Sequence, residues 1–283
     1  MNFQKLSPSS SPLPLPVKIK DDIVGIVNAI GHNIGVNKFL FEGAPGTGKT
    51  ETVKQIARIL NRDLYQAEFD SIIDSKLGQT SKNLHSVFEE INGLPHPENI
   101  IILFDEIDAL ALDRMNNNDL REMGRATSTL LRELDNLNEK VIFIATTNLY
   151  KAFDKALIRR FDSVINFNRY SREDLIEVAE SILSELLDKF PKAIKDIKLF
   201  RKILFLQDPM PYPGDLKNLI KTSLAFSNLN SKYDYLVRLY ENITGEKINE
   251  NIKKLQEQGF TVREIEKLTG ISRSQVSRGL NNE

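Results

Sequence analysis

Gly43-Ala44-Pro45-Gly46-Thr47-Gly48-Lys49-Thr50 follows the pattern G-x-x-x-x-G-K-T, which is typical of a loop that binds phosphate groups. Residues 37–41 before it are predicted to form a short buried strand, and residues 52–60 after it have apolar positions at helical spacing. The alternative is a glycine-rich turn that contains a lysine by chance. A strand before the loop and a helix after it favour phosphate binding.

The residue types in this loop suit an anion and a metal ion. Glycines let the backbone curl until its N–H groups point at one anion, and the N-terminus of the following helix adds partial positive charge. We expect Lys49 to reach the β- and γ-phosphates of a nucleotide, and the Thr50 hydroxyl to bind Mg²⁺. The predicted nucleotide-binding residues of this segment are Gly43, Pro45, Gly46, Thr47, Gly48, Lys49, Thr50 and Glu51.

An acidic pair comes directly after a continuous apolar run. Residues 100–104 are typical of a strand buried on both faces of a parallel sheet, and Asp105 and Glu106 follow them. Carboxylates at this place are costly unless they face a ligand or a metal ion. We expect Asp105 to bind Mg²⁺ and to contact the nucleotide site, and Glu106 to polarise the water that attacks the γ-phosphate. The alternative is that Asp105 or Asp108 only caps a helix predicted at residues 109–112.

Two further polar segments are candidates for the same site. The apolar run 141–145 leads to Asn148, which is predicted to contact the γ-phosphate or the attacking water, unless it is an ordinary turn residue. Arg159 and Arg160 precede an aromatic residue. They are either surface or ion-pairing arginines, or they contact the γ-phosphate of a neighbouring subunit as arginine fingers do.

The order of the segments predicts the fold. Strand patterns and helical patterns alternate from residue 21 to residue 170, which is typical of an α/β domain with a parallel sheet and helices on both faces. The ligand loops of such a domain gather at the carboxyl ends of the strands. Residues 1–20 are rich in serine and proline over 7–16 and are predicted to be a flexible lead-in.

Residues 171–245 are predicted to form a small helical domain. Ser171 and Asp174 have the spacing of a capping box at the start of its first helix. Lys217 lies near the start of another helix. It either reaches back to the phosphates across the domain boundary or is an exposed helix lysine.

Residues 246–283 are predicted to form three short helices with the spacing of a helix-turn-helix. The exposed side of the third helix carries residue types that suit base edges and phosphates, namely Arg273, Ser274, Gln275, Ser277 and Arg278. The segment has seven basic and six acidic residues, a net charge of about +1, which is a weak electrostatic footprint for nucleic acid. The alternative is a helical module of the same shape that docks a protein.

The composition limits the class of protein. The chain has 283 residues, a formal net charge of −1 and no cysteine. Its length is sufficient for two or three compact units. A net charge near zero gives no overall attraction to nucleic acid or to an anionic membrane. Without cysteine the chain can form neither a disulfide nor a thiolate metal site. It contains no apolar run of membrane-spanning length, and residues 1–20 lack the apolar centre of a signal peptide. We therefore expect a cytoplasmic protein without a membrane partner.

Residues from about 20 to 245 resemble an AAA+ ATPase module. The segments that carry the resemblance are GAPGTGKT (43–50, Walker A), IIILFDEID (100–108, Walker B), ATTN (145–148, sensor 1), LIRRFD (157–162, arginine fingers), LGQTSKNLHSVF (77–88) and MGRATSTLLRELD (123–135). The resemblance implies a P-loop NTPase domain with a helical lid, ATP hydrolysis with Mg²⁺, and a ring-forming homo-oligomer, commonly a hexamer. It also implies that Arg159 and Arg160 act in trans, and it places Lys217 where many relatives have a sensor 2 arginine.

Two departures from related patterns bear on the function. Ser75-Lys76-Leu77-Gly78 falls where protein-translocating relatives have a pore loop with an aromatic residue before the glycine. Lys76 and Leu77 occupy these positions instead. Leu77 is therefore a candidate contact for a polypeptide, and Lys76 for a polyanion. EIEKLTGISRSQVSRGL (264–280) is similar to the helix-turn-helix modules of resolvases and repressors, with Glu266 where such modules usually have a small buried residue.

Three functions follow as hypotheses. The first is a ring-forming ATPase that remodels a protein or a protein–nucleic acid substrate. The second is a DNA-directed ATPase that acts in replication, transposition, plasmid maintenance or transcription control and contacts DNA through residues 261–280. The third is an assembly switch without turnover. Glu106 argues against the third, because a carboxylate is not needed at this position unless water is activated.

Overall fold

The computed structural model describes residues 3–7, 14–32, 35–68, 72–73, 78–110, 119–248 and 252–281. The chain divides into two compact units, Met1–Arg169 and Tyr170–Glu283. Residues 75–77 of the segment compared with a pore loop lie outside the described residues. Within the described part of the chain, every helix is too short or too polar to cross a lipid bilayer.

The first unit alternates strands and helices around one sheet. Its strands are β1 (Phe3–Leu6), β2 (Lys38–Glu42), β3 (Asp63–Ala67), β4 (Ile100–Phe104), β5 (Ile142–Thr147) and β6 (Ser163–Asn166). Its helices are α1 (Val17–Gly31), α2 (Lys49–Leu60), α3 (Gln79–Asn92), α4 (Asp119–Asp135) and α5 (Lys155–Ile158). Short 3-10 turns lie at Pro97–Asn99, Ile107–Leu110 and Tyr150–Ala152. The strand predicted at 100–104 is therefore confirmed at both ends.

The sheet is parallel except at one edge. Its strand order is β1-β3-β4-β5-β2-β6. All neighbouring strands run parallel apart from β1, which is antiparallel to β3. The predicted α/β architecture with a mostly parallel sheet is confirmed.

The expectation of a flexible lead-in over residues 1–20 is wrong at two places. Phe3–Leu6 form β1, in which Leu6 is paired with Leu64 of β3. This pairing satisfies backbone groups that would be unpaired if β3 were the edge of the sheet. Helix α1 begins at Val17, inside the predicted lead-in, and its Ile19 is fully buried.

Central strands of the sheet are held by a continuous apolar core. All five residues of β4 and all six of β5 are buried. The Phe104 ring of β4 lies 4.8 Å from the Phe143 ring of β5 and 5.6 Å from the Phe88 ring of α3, measured between centroids. Because β2, β4 and β5 are parallel, their carboxyl ends meet at one edge, and close packing of the strands makes that edge a rigid platform.

The second unit is helical throughout. Its helices are α6 (Arg172–Leu187), α7 (Ile197–Leu204), α8 (Pro213–Ala225), α9 (Asp234–Thr244), α10 (Ile252–Glu257), α11 (Val262–Thr269) and α12 (Arg273–Asn281). The capping box predicted for Ser171 and Asp174 is present at the start of α6, and Thr261 forms another with Glu264 at the start of α11.

The last three helices share one hydrophobic core with the four before them. Buried side chains of the C-terminal segment, among them Leu255, Phe260 and Ile265, belong to the same cluster as Leu239 and Tyr240 of α9. The domain boundary that was predicted between residues 245 and 246 therefore lies inside one compact unit.

Two ion pairs connect α11 with α7, one to a residue within α7 and the other to the N-cap residue of α7. Lys202 Nζ lies 2.7 Å from Glu264 Oε2, and Lys267 Nζ lies 2.6 Å from Asp196 Oδ2. Asp196 is the N-cap of α7, where its side chain accepts from the Leu199 amide. These contacts add to the apolar packing between the two parts of the unit.

Candidate nucleotide site

The loop between β2 and α2 has a backbone that glycine favours. Gly46 and Gly48 have φ angles of 77° and 92°, in the left-handed region that side chains with a Cβ rarely adopt. Gly48 is the N-cap of α2, so the helix begins at Lys49. Amide groups in the first turn of a helix have no intrahelical acceptor, and together with the helix dipole they attract an anion.

Contacts from two neighbouring strands hold the start of this loop. The Gly43 N–H donates to Thr147 O at 3.2 Å, and the Ala44 N–H donates to Asn168 Oδ1 at 2.8 Å. A Cβ at Gly43 would lie 2.9 Å from Phe167 Cβ, which leaves no room for a side chain. Asn168 was not predicted as a site residue. A polar residue just beyond the end of β6 was the signal that could have identified it.

Lys49 lies at the centre of the site. Its Nζ donates to Gly43 O at 2.7 Å, to Ala44 O at 3.0 Å and to Asn148 Oδ1 at 2.8 Å. The residue is only 7% exposed. Burial lowers the pKa of Lys49, and the carboxylates of Asp105, Asp108 and Glu106 oppose that shift. The loop therefore holds a buried cation whose nearest counter-charges are the acids after β4.

Thr50 and Asp105 place oxygen atoms next to each other. The Thr50 hydroxyl lies 3.0 Å from both carboxylate oxygens of Asp105. Hard oxygen donors suit Mg²⁺, which usually takes only one or two protein ligands beside water and substrate phosphate. Among the described residues no group of three or more His, Cys, Asp or Glu is arranged to hold a metal ion, so a cage made by the protein alone is not formed there. The donor set fits Mg²⁺ bound together with a phosphate.

Asn148 joins Lys49 to Glu106. Its Nδ2 donates to Glu106 Oε1 at 3.3 Å, while its Oδ1 accepts from Lys49. The Asn148 backbone N–H donates to Asp108 Oδ1 at 3.3 Å, and Asp108 is only 5% exposed. Asp108, for which the sequence indicated only a possible helix cap, holds the segment that carries Asn148.

Arg159 and Arg160 differ in their surroundings. Arg160 donates from Nε to Asp135 Oδ1 at 3.1 Å and from Nη1 to Ala156 O at 3.1 Å. Arg159 is exposed at the end of α5, and within the described part of the chain no ion pair or side-chain hydrogen bond engages its guanidinium. Arg160 therefore has an intramolecular role, whereas Arg159 has its donors available.

The remaining predicted site residues lie in the second unit. Lys217 is exposed on α8. On α12, Arg273 donates to Glu266 Oε2 at 2.6 Å, and Gln275 accepts from the Ser272 hydroxyl at 2.8 Å. The Ser274 hydroxyl also lies 3.2 Å from the Ser272 hydroxyl. Three of the five predicted nucleic-acid residues are thus engaged near the start of α12, and the other two are Ser277 and Arg278. Glu266, which replaces a small residue of the related pattern, is the partner of Arg273.

The family match lies within the first unit. Residues 39–169 match the family "ATPase family associated with various cellular activities (AAA)". An uncharacterized AAA family ATPase, y4kL of Sinorhizobium fredii, is 38% identical over 139 residues, which are 49% of this chain and 41% of that protein. A putative 26S proteasome regulatory subunit homolog of Methanothermobacter thermautotrophicus is 34% identical over 130 residues, which are 45% of this chain and 34% of that protein.

A third relative matches over a longer segment. The peroxisomal ATPase PEX6 of Saccharomyces cerevisiae is 31% identical over 219 residues, which are 74% of this chain and 20% of that protein. The chain spans less than half the length of each of these three relatives.

Solved structures share the fold. The FIGL-1 AAA domain in complex with ADP has a TM-score of 0.64 at 16% identity and covers 91% of both chains. A chain of the E. coli MS115-1 HORMA:CdnC:Trip13 complex has a TM-score of 0.64 at 18% identity and covers 84% of this chain and 93% of that one. Residues 39–169 are therefore an AAA ATPase domain.

Proposed function

We propose that this protein hydrolyses ATP with Mg²⁺ at the carboxyl edge of the sheet and uses the reaction to remodel a protein or protein–nucleic acid substrate. One observation carries the proposal. Three segments far apart in the sequence supply side chains to a single hydrogen-bonded group, which joins Thr50 to Asp105, Lys49 to Asn148 and Asn148 to Glu106. Phosphoryl transfer needs this combination of phosphate-binding cation, metal-binding oxygens and water-orienting acid.

Each residue has a separate task in this proposal. Backbone N–H groups of the loop formed by Gly43, Pro45, Gly46, Thr47 and Gly48 bind the phosphates, together with the first turn of α2 that contains Glu51. Lys49 exchanges its contacts with loop carbonyls for phosphate oxygens. The Glu106 carboxylate accepts a hydrogen bond from the attacking water. Asn148 fixes the position of this carboxylate relative to Lys49.

The metal site consists of Thr50 and Asp105. Bound Mg²⁺ would supply charge neutralisation of the phosphate oxygens. The Thr50 hydroxyl and the Asp105 carboxylate provide its protein oxygens, and the remaining positions are left to water and substrate.

We further propose that the active form is a homo-oligomeric ring, with six subunits as the expected number. Exposed Arg159 supports this assembly, because a cation without a partner among the described residues of its own chain is available to the γ-phosphate of the next subunit. Arg160 would then support the position of Arg159 through Asp135. Residues 171–245 would form the lid of each site, with Lys217 in the position of sensor 2.

The names of similar proteins support remodelling of a protein substrate. They include a putative proteasome regulatory subunit homolog and a peroxisomal ATPase, and one similar chain belongs to a complex with other proteins.

A DNA-directed ATPase is the second candidate function. It is favoured by the exposed Arg278 and Ser274 on α12, which follows the turn after α11 as in a helix-turn-helix. Arg273 Nε is engaged by Glu266 and Gln275 Oε1 by Ser272, which fixes the two side chains whose planar groups suit base edges. We therefore rank phosphate contact above base readout on this helix.

The decisive experiment compares Glu106→Gln with Glu89→Gln, an exposed carboxylate on α3. The first change should retain ATP binding and abolish steady-state hydrolysis, whereas the second should change neither. Turnover close to wild type in Glu106→Gln would overturn the assignment of the water-orienting acid. Stimulation by duplex DNA, tested with the wild type and with Arg278→Ala, separates the two candidate functions.

A further inference from the structure

Thr146 contacts both members of the acidic pair with a single hydroxyl group. The residue is fully buried at the carboxyl end of β5. Its Oγ1–H donates to Asp105 Oδ1 at 2.6 Å, and the same oxygen accepts from the Glu106 N–H at 2.9 Å. One oxygen therefore connects the proposed metal-binding carboxylate with the backbone of the proposed water-orienting acid.

The backbone of Glu106 needs such a restraint. Its φ angle is 54°, in the left-handed region that residues with a Cβ rarely adopt. Asn61 is another residue with positive φ in the described chain, but asparagine tolerates this region better than glutamate does. The hydrogen bond from the Glu106 N–H to Thr146 supports a conformation that the sequence of the turn does not favour by itself.

The left-handed turn also places the Glu106 side chain. Its Oε1 lies 3.3 Å from Asn148 Nδ2, and Asn148 follows Thr146 by two residues. The end of β5 therefore holds Glu106 at two points. Thr146 bonds the backbone N–H of Glu106, and Asn148 bonds the carboxylate of Glu106. On the other side, Thr50 and Thr146 together orient the carboxylate of Asp105.

We propose that Thr146 is a positioning residue that couples the geometry of Asp105 to that of Glu106. The effect of Thr146 on catalysis rests on the proposed function, whereas the two hydrogen bonds that couple Asp105 to Glu106 are part of the fold itself. Loss of the hydroxyl frees one oxygen of Asp105 and releases the left-handed turn at Glu106. The binding loop and Lys49 do not depend on this hydroxyl, because their contacts go to Thr147 O, Asn168 and Asn148.

The test uses three variants of the full chain. Thr146→Val keeps the shape and removes the hydroxyl, Thr146→Ser keeps the hydroxyl, and Thr244→Val is the matched control. Thr244 is partly buried in the second unit, where its hydroxyl donates to Tyr240 O at 2.9 Å and accepts from the Glu246 N–H at 3.3 Å. Loss of a residue that orients a metal ligand typically costs about 10–100-fold in activity or metal affinity.

We expect kcat of Thr146→Val to fall about 10–100-fold while the Kd of a fluorescent ATP analogue changes less than about threefold. Thr146→Ser should restore most of the activity, and Thr244→Val should stay within a few-fold of wild type. A kcat close to wild type in Thr146→Val would overturn the proposal, as would an equal loss in Thr244→Val.

Amide hydrogen exchange gives a readout that does not depend on catalysis. In the protein without nucleotide, the Glu106 amide should exchange slowly in the wild type and in Thr146→Ser, and faster in Thr146→Val, as followed by NMR. Unprotected exchange of this amide in the wild type would overturn the proposal without any variant. Faster exchange in Thr146→Val together with no ATP hydrolysis by the wild type would instead refute the proposed function and leave the positioning role intact.

Discussion

The Lys49 ammonium nitrogen lies 2.8 Å from Asn148 Oδ1, although 99 positions separate the two residues in the chain. This contact joins the loop after β2 to the end of β5, two strands that are neighbours in the sheet. Since Asn148 also donates to Glu106, one amide group links the phosphate-binding cation to the acid after β4. The three parts of the site are therefore connected before any substrate is present.

Replacement of Asn148 should separate catalysis from binding. Asn148→Ala removes the acceptor of Lys49 and the donor to Glu106, while Lys49 keeps two loop carbonyls. We expect kcat to fall about 10–100-fold with a smaller change in nucleotide affinity. Asn148→Asp keeps an acceptor for Lys49 but loses the donor to Glu106. Activity of Asn148→Asp close to wild type would show that the bond to Glu106 is not needed.

The two adjacent arginines should give different phenotypes. Arg159→Ala should lower kcat by about 10³-fold or more without loss of folding, because arginine fingers contribute about that much to phosphoryl transfer. Arg160→Ala should cost roughly 0.5–1 kcal/mol of stability, since its ion pair with Asp135 is partly exposed.

A mixing experiment tests whether Arg159 acts in trans. Arg159→Ala and Glu106→Gln chains are each expected to be inactive alone. In a mixed ring, a site with intact Glu106 can receive Arg159 from its neighbour, so ATPase activity should return on mixing. Absence of recovery over a range of mixing ratios, with co-assembly verified, would contradict a finger supplied by the adjacent subunit.

A methyl group at Gly43 should displace the binding loop. The Cβ of Gly43→Ala would lie 2.9 Å from Phe167 Cβ and 3.2 Å from Thr47 Oγ1, so either the loop or β6 has to move. We expect nucleotide affinity to fall by about tenfold or more, a cost of roughly 1.4 kcal/mol. Gly25→Ala is the matched control, because the described residues beyond its own stretch of helix backbone place no atom within 4 Å of a Cβ built there. It should leave affinity unchanged and stabilise the helix by about 0.5–1 kcal/mol.

The second unit should lose stability in acid through Glu264. Partial burial alone would raise the pKa of Glu264, but the Lys202 ammonium and the Thr261 amide and hydroxyl outweigh it and lower the pKa below its ordinary value. A carboxyl with a lowered folded pKa stabilises the native state above its unfolded pKa, near 4.3. That stabilisation is lost as the pH falls through the folded pKa.

Glu264→Gln tests this dependence without removing the helix cap, because glutamine also completes a capping box. We expect the variant to be less stable than wild type by roughly 0.5–1 kcal/mol at pH 7, and this difference to shrink below about pH 4. Tyrosine absorbance during urea unfolding is a suitable probe, since five of the seven tyrosines lie in residues 170–283. A difference that does not change with pH would contradict the ion pair with Lys202.

Much of the nucleotide site was predictable because its signals are local. The glycines of the loop, the start of α2 and the buried strand at 100–104 are set by residues within a few positions of each other. The helix starts at Ser171 and Thr261 were likewise predictable, because a capping box closes within one turn.

Contacts between distant segments were not predictable in the same way. The pairing of β1 with β3, the bond from Ala44 to Asn168 and the ion pair of Arg160 with Asp135 join residues whose types are common in loops and on surfaces. Sequence reasoning placed Arg159 and Arg160 in one role, and the structure distinguishes them by the environment of each guanidinium.

The sequence by itself determined where phosphate-binding and acidic residues occur, because the backbone preferences of glycine, the spacing of apolar residues and helix caps act over a few positions. Tertiary structure decided which of these groups touch, for example that one hydroxyl of Thr146 serves both Asp105 and Glu106. It also decided that the last three helices share a core with the four before them. These outcomes depend on strand order and on burial, which only the packed chain specifies.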